Sequence, residues 1–317
     1  MFKVLIPQDI TPPGKNYLEE HGCAIKVLQD SSVESICREV SDADAILMRT
    51  APCPAAVFEA GQKLKVVARH GAGFDNIDLD AANAHHVQVC NTPTANSNSV
   101  AEHTMSLLLA CAKNLLIQDK ACRKGDFESR NRTLSVEVEG KVLGLIGCGH
   151  IGRLVAKKAA LGFDMQVIGY DAYAKPEDMP EYITLVPDLE DVYRQADFLS
   201  LHVPLTPDTR GMINKDVFVS MKPSAVVLNC ARGGIVNEED LYWAIKNQII
   251  GGAGLDVFAE EPINPQNPLY TLEKVIATPH SAAQSFEAAD RMGLYAAQSI
   301  VEVLQGKPPR WPVNHLK

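Results

Sequence analysis

The chain has 317 residues, 46% hydrophobic and 22% charged, with a formal net charge of −9. At about 150 residues per domain this length suggests roughly two domains, and the composition excludes a disordered or collagen-like chain. The acidic balance excludes the broad phosphate-neutralising surface that nucleic acid demands, though a few local arginines can still hold one small anion, so small-molecule partners are expected and nucleic acid is not.

The start, Met1 to Asp9, reads as a short strand followed by polar residues, too brief for the apolar region of a secretory signal. Short β-branched runs at 3–7, 24–28, 45–48, 65–69 and 87–90 then alternate with helical patterns at 17–21, 33–40 and 79–85, the rhythm of a parallel sheet. A long helix is predicted from Ser99, with Glu102 completing a capping box, to a break at Lys124-Gly125. Glu102, His103 and Lys113 interrupt it well short of the ~20 clean apolar residues of a membrane span, so no membrane is expected. A second series opens at Lys141, with six strands at 142–146, 166–170, 198–202, 225–229, 251–255 and 275–277, and predicts a doubly wound α/β domain. The last helix, 284–305, is stopped by Gly306-Lys-Pro-Pro-Arg-Trp-Pro312. No repeat or flexible linker intervenes, which places the domain boundaries within helices: 1–98 with 285–317 in one domain, 99–284 in the other. Eight cysteines without a C-x-x-C pair are read as buried, reduced thiols of a cytoplasmic protein.

Lys141-Val-Leu-Gly-Leu-Ile-Gly147-Cys-Gly149-His-Ile-Gly152 runs a strand directly into G-x-G-x-x-G and a helix. Gly147 permits the tight turn, Gly149 lets backbone amides approach a pyrophosphate, and Gly152 lets helix and sheet pack closely. The motif alone is weakly specific. However, the next strand ends at Asp171, about twenty residues on, where a carboxylate can accept hydrogen bonds from an adenosine ribose. NAD is expected rather than NADP, because Asp171 would repel a 2′-phosphate and Ala172-Tyr173-Ala174 offer no arginine; the nearest base is Lys175. The spaced third glycine and the strand series disfavour S-adenosylmethionine, which uses a related loop.

A nicotinamide cofactor needs a proton donor and acceptor near neutral pH and a cation that polarises a carbonyl. In open α/β sheets chemistry sits at the carboxyl ends of strands, which selects His202 and His280 without choosing between them, together with Arg232, Asp256 and Glu261. His85 and His86 lack metal-ligand spacing and neither H-E-x-x-H nor G-x-S-x-G occurs, so neither a metal site nor a serine hydrolase is expected.

These segments resemble the D-isomer-specific 2-hydroxyacid dehydrogenase family through the 147–152 glycine loop, Asn229-Cys-Ala-Arg-Gly-Gly234, Asp256-Val-Phe-Ala-Glu-Glu-Pro262 and Thr278-Pro-His280. Arg69-His-Gly-Ala-Gly-Phe-Asp-Asn-Ile-Asp78, Asn91-Thr-Pro-Thr-Ala-Asn96, Val100-Ala-Glu102 and Leu201-His-Val-Pro-Leu-Thr206 extend the likeness over nearly the whole chain. The resemblance implies a flavodoxin-like substrate domain around an inserted Rossmann NAD domain, usually as a homodimer. It implies a catalytic trio in which His280 exchanges a proton with the 2-keto oxygen, Glu261 orients the imidazole and favours its charged form, and Arg232 clamps the substrate carboxylate. It places the pyrophosphate near His150 and Ile151, the ribose at Asp171, and further cofactor contacts at Val203, Cys230, Ala231 and Asp256, leaving His202 as a strand-end wall.

Glu261 speaks for a keto or hydroxy acid, since related formate dehydrogenases carry glutamine beside the histidine. Gly71-Ala72-Gly73 would form a nest for the substrate carboxylate. Arg49 and Arg69 match positions where 3-phosphoglycerate dehydrogenases present arginines to the substrate phosphate, which makes 3-phosphoglycerate the leading substrate. His280-Ser-Ala-Ala departs from the His-Leu-Gly-Ala usual there, so glyoxylate, hydroxypyruvate, D-lactate and branched 2-keto acids stay open, as does an NAD(H)-sensing, corepressor-like binding role. The sequence stops soon after the last helix, and a member without an appended regulatory domain is the expectation.

Overall fold

A computed structural model describes residues 1–316. The chain divides into two compact units, Met1–Ser97 together with the segment from Ala283 onward, and Asn98–Ala282. The first unit opens with β1 (Phe2–Ile6), α1 (Pro12–Glu20), β2 (Cys23–Val27), α2 (Val33–Val40), β3 (Ala45–Met48), α3 (Ala55–Ala60), β4 (Val66–Arg69), α4 (Leu79–Ala84) and β5 (Gln88–Cys90). There follow α5 (Ser97–Ala112), α6 (Leu115–Arg123), α7 (Ser129–Arg132), β6 (Val142–Ile146), α8 (His150–Phe163), β7 (Gln166–Tyr170) and β8 (Thr184–Leu185). The second unit continues through α9 (Leu189–Gln195), β9 (Phe198–Leu201), α10 (Lys215–Ser220), β10 (Val226–Asn229), α11 (Glu238–Lys246), β11 (Gly252–Leu255) and β12 (Val275–Ala277), and α12 (Phe286–Leu304) returns to the first.

The first unit is a parallel five-stranded sheet in the order β2-β1-β3-β4-β5, the flavodoxin-like order. Its strands are apolar throughout because both faces are covered. Leu5, Ile46, Val67 and Val89 pack with Ile36 of α2 and Val57 and Phe58 of α3. Their neighbours in sequence, Val4, Ile6, Ala45, Leu47, Val66 and Ala68, point the other way and pack with Leu18 of α1 and Ala296, Ala297 and Ile300 of α12.

The second unit is a parallel seven-stranded sheet in the order β12-β11-β10-β9-β6-β7-β8. β6 pairs with β7 on one side and β9 on the other. The chain therefore leaves its carboxyl end toward opposite sides of the sheet, creating the crevice where open α/β sheets bind ligands. Beneath it, Ile146, Leu199, Leu201, Val227 and Leu255 pack with Val192, Tyr193, Phe218 and Leu241. The two doubly wound parallel α/β units match the fold class the sequence predicts.

Local departures have physical causes. The helix predicted from Ser99 to Lys124-Gly125 is two, because Asn114 adopts the left-handed conformation (φ 49°) between α5 and α6, which asparagine tolerates better than most residues. The capping box does not form: the Ser99 hydroxyl donates to the Ala282 carbonyl (2.7 Å) and Glu102 accepts from the Asn98 amide (2.7 Å). α1 begins five residues before the predicted 17–21 segment, at Pro12-Pro13, whose fixed φ suits a first helical turn. The seventh strand, β8, is a two-residue edge pairing on β7. All eight cysteines are free; Cys122 is exposed and Cys37 and Cys111 are half-buried, so burial is less general than expected. Among the described residues no single helix is long and apolar enough to cross a membrane.

Candidate active site

The glycine loop sits at the carboxyl end of β6. Gly147 has φ 92°, and a Cβ there would lie 2.6 Å from the His202 carbonyl oxygen; one on Gly152 would lie 2.3 Å from that of Gly147. Only glycine fits either position. Gly149 is the N-cap of α8, exposed and with open space around its missing side chain, so the amides of the first turn, from exposed His150 and half-buried Ile151, are open to an anion.

Asp171, just beyond β7, accepts the Cys148 amide (2.7 Å) through one oxygen and those of Tyr173 (2.9 Å) and Ala174 (3.1 Å) through the other. Burial alone would raise its pKa, but these amides and nearby Arg153 hold it below the usual carboxylate range. A cradle that only glycine allows, an open helix N-terminus and an ionised carboxylate together fit a dinucleotide's pyrophosphate and ribose. Asp171→Ala is accordingly expected to weaken NADH binding and raise NADPH binding relative to it by about tenfold or more, read by cofactor fluorescence titration; an unchanged ratio removes Asp171 from the ribose.

Val203 and Ala231 line the strand ends after β9 and β10. Burial pushes the Cys148 and Cys230 thiols up to about 12, so neither is a nucleophile at neutral pH. Desolvation lowers His202 to about 4, and its Nε2 pairs with the Ser200 hydroxyl (2.9 Å), leaving a neutral ring beneath the glycine loop.

The predicted trio comes from consecutive strand ends. Arg232 follows β10, its carbonyl tied to the Asn229 side chain (2.9 Å) and its guanidinium donating to the Ala231 carbonyl (2.7 Å). Glu261 lies in the loop after β11, before a cis peptide to Pro262, and accepts the Phe258 amide (3.1 Å). His280 follows β12, and its Nδ1 lies 2.7 Å from Glu261 Oε2. Burial would raise the Glu261 carboxyl, but the His280 hydrogen bond, the Phe258 amide and the charges of His280 and Arg232 hold it low. His280 has φ 50°, a left-handed backbone that costs a non-glycine residue roughly 1–2 kcal/mol.

Asp256, expected among the cofactor contacts, is tied into the loop that carries His280. It is 1% exposed. One oxygen accepts the Thr278 hydroxyl (2.6 Å) and the Ser281 amide (2.8 Å), the other the Ala282 amide (2.8 Å), and its backbone carbonyl accepts the His280 amide (2.8 Å). Its carboxylate is committed to the loop that carries His280.

Two residues that sequence reasoning passes over also shape the site. A Cβ on Gly233 would fall 1.7 Å from the Phe258 carbonyl oxygen, so the Arg232 loop lies directly on the loop leading to Glu261. Glu238 accepts the Ala259 amide (2.6 Å) and the Asn267 side chain (2.7 Å), bracing the segment between. An Arg-Gly-Gly run after a strand signals a tight approach but does not say to what.

In the first unit, Arg49 follows β3 and Arg69 ends β4, with Met48 and Arg69 in register. Arg49 donates to the Asp9 carbonyl (2.7 Å) and Arg69 to that of His70. Burial, aided by both guanidiniums, lowers His70 to about 4. The expected Gly71-Ala72-Gly73 nest is partly used internally, since the Gly71 amide donates to the Thr92 hydroxyl (2.9 Å) and the Arg69 carbonyl (3.0 Å).

The family model described as "D-isomer specific 2-hydroxyacid dehydrogenase, NAD binding domain" matches residues 105–282. A D-3-phosphoglycerate dehydrogenase of Methanocaldococcus jannaschii is 41% identical over 99% of this chain, which spans 60% of that relative's length. A glyoxylate reductase of Korarchaeum cryptofilum is 36% identical over 98% of this chain and 96% of its own. Among solved structures, the TT0316 protein from Thermus thermophilus superposes with a TM-score of 0.91 at 32% identity, covering 99% of this chain and 100% of that one. The chain belongs to the D-isomer-specific 2-hydroxyacid dehydrogenase family, with residues 105–282 as its NAD-binding domain.

Proposed function

We propose that the chain is an NAD-dependent oxidoreductase interconverting a D-2-hydroxy acid and its 2-keto acid, with 3-phosphoglycerate and 3-phosphohydroxypyruvate as the leading pair. The observation that carries this reading is the 2.7 Å His280–Glu261 pair on the strand-end loops that also bring in Arg232. Bound NAD(H) supplies or takes up the hydride. With Nδ1 engaged by Glu261, His280 keeps Nε2 to give a proton to the substrate oxygen in reduction and to take it back in oxidation. The ionised Glu261 fixes the ring and stabilises the imidazolium. Arg232 holds the substrate carboxylate and polarises the carbonyl.

The phosphate is assigned to Arg49 and Arg69, supported by their adjacent strand ends and their joint effect on His70. The remaining nest amides, at Ala72 and Gly73, are assigned to substrate anion binding. Glyoxylate is the second reading, because the Korarchaeum glyoxylate reductase matches over almost its full length whereas this chain spans 60% of the phosphoglycerate dehydrogenase relative.

NADH oxidation against a panel of 2-keto acids separates the two. A strong preference for 3-phosphohydroxypyruvate over hydroxypyruvate is expected, and Arg49→Ala should raise KM for the phosphorylated acid about 10- to 100-fold, the worth of a charge-assisted hydrogen bond, with little effect on glyoxylate. Preference for glyoxylate overturns the phosphate assignment, and silence across the panel overturns the enzymatic reading. A homodimer is the proposed assembly, supported by the exposed apolar Leu115, Leu116, Phe127 and Leu134, and light scattering in solution decides it.

A further inference from the structure

His103, on α5, has no role in the reading above, yet its ring touches what holds His280. Its Nε2 lies 2.9 Å from Thr278 Oγ1 and 3.5 Å from Asp256 Oδ1. A hydroxyl has a single proton, and that of Thr278 goes to its nearest acceptor, Asp256 Oδ1 at 2.6 Å. The Thr278 oxygen therefore accepts from the imidazole, which fixes His103 Nε2 as a donor. Asp256 passes this constraint on through the amides of Ser281 and Ala282, and its own carbonyl holds the His280 amide. One turn earlier on the same helix, the Ser99 hydroxyl grips the Ala282 carbonyl. A left-handed histidine persists only where its surroundings over-determine it, and α5 contributes two of the restraints.

We propose that His103 is a positioning residue for His280: by donating to Thr278 and backing the buried Asp256 carboxylate, it holds the 278–282 loop in the strained conformation that sets the His280 imidazole against Glu261. The proposal rests on His280 as the proton carrier. It gives a physical reason for a half-buried imidazole at this place on α5, where the alternative is a ring of no consequence to turnover.

The test compares His103→Ala, His103→Gln and His280→Ala in NADH-dependent reduction of the best 2-keto acid, with kcat normalised to NADH-binding sites. His103→Ala is expected to lower kcat about tenfold to a hundredfold, the scale of a small misplacement of a reacting group, with NADH affinity retained. His103→Gln, whose amide nitrogen can donate to Thr278, should recover most of that loss and leave the pH profile in place.

A merely stabilising His103 would lower the melting temperature and leave kcat per site unchanged; that result beside an inactive His280→Ala overturns the proposal alone. Failure of glutamine to recover activity also overturns it. A fully active His280→Ala overturns the proton-carrier reading, and the proposal with it. Should the alanine variant not fold, Thr278→Val and Thr278→Ser ask the same question: valine should reproduce the kcat loss and serine should not, and equal activities overturn the inference.

Discussion

Replacing His280 with alanine is expected to lower kcat by about 10²- to 10⁴-fold, the usual contribution of a positioned acid–base group, while NADH still binds. The proposed cofactor cradle is the 147–152 loop and Asp171, whose local contacts do not involve the His280 ring. Stopped-flow NADH fluorescence beside steady-state turnover separates the two quantities, and full turnover by the variant removes His280 from proton transfer. Glu261→Gln should show a smaller loss together with a displaced pH profile, because an amide can still meet Nδ1 but carries no charge to stabilise the imidazolium. The same carboxylate is one contributor to stability on the acid side. Its folded pKa lies below its unfolded value of about 4.3, so its contribution is present above that value and disappears as the pH falls through the folded one. Glutamine at this position should blunt that acid-side loss in thermal melts.

Gly233→Ala should be the most damaging single methyl in the second unit. With its Cβ 1.7 Å from the Phe258 oxygen and 2.9 Å from the Ala259 nitrogen, nothing but backbone stands in the way, so the loops after β10 and β11 must separate by well over an ångström. Arg232 and Glu261 then lose their common frame, and a kcat loss of about 10²-fold or more is expected, with about 1–3 kcal/mol of destabilisation from overpacking. Gly162→Ala is the control. It lies in α8 with open space at its missing Cβ, where alanine improves helix propensity and should leave activity and melting temperature at or above the parent's. Parent-like turnover by Gly233→Ala would show that the two loops need not touch.

What the sequence made legible was whatever leaves a periodic or spaced mark. Strand–glycine–helix, an acid one strand later and charged residues after apolar runs are local patterns, and they lead to Gly147, Asp171, Arg232, Glu261 and His280. The parallel strands announce themselves by being apolar on both faces. The break at Asn114 was hidden because the apolar rhythm of α5 carries on into α6, and a single left-handed residue does not disturb composition. β8 was hidden because two residues have no period. The Ser99–Glu102 spacing has the form of a capping box, but α5 starts at Ser97, and the Ser99 hydroxyl is taken by a carbonyl 183 residues away. Gly233, Glu238 and the loop contacts of Asp256 were hidden for the same reason: each acts through a long-range contact, and one sequence shows what a residue is but not what lies against it.

The three amides that hold Asp171 have a kinetic consequence. With Asp171 as the proposed ribose acceptor, the side chain is already immobilised by the fold, so a docking dinucleotide would give up little further side-chain entropy there. Differences between related dinucleotides at this contact are then expected chiefly in how long each one stays: a carboxylate that is already in place acts on departure more than on capture.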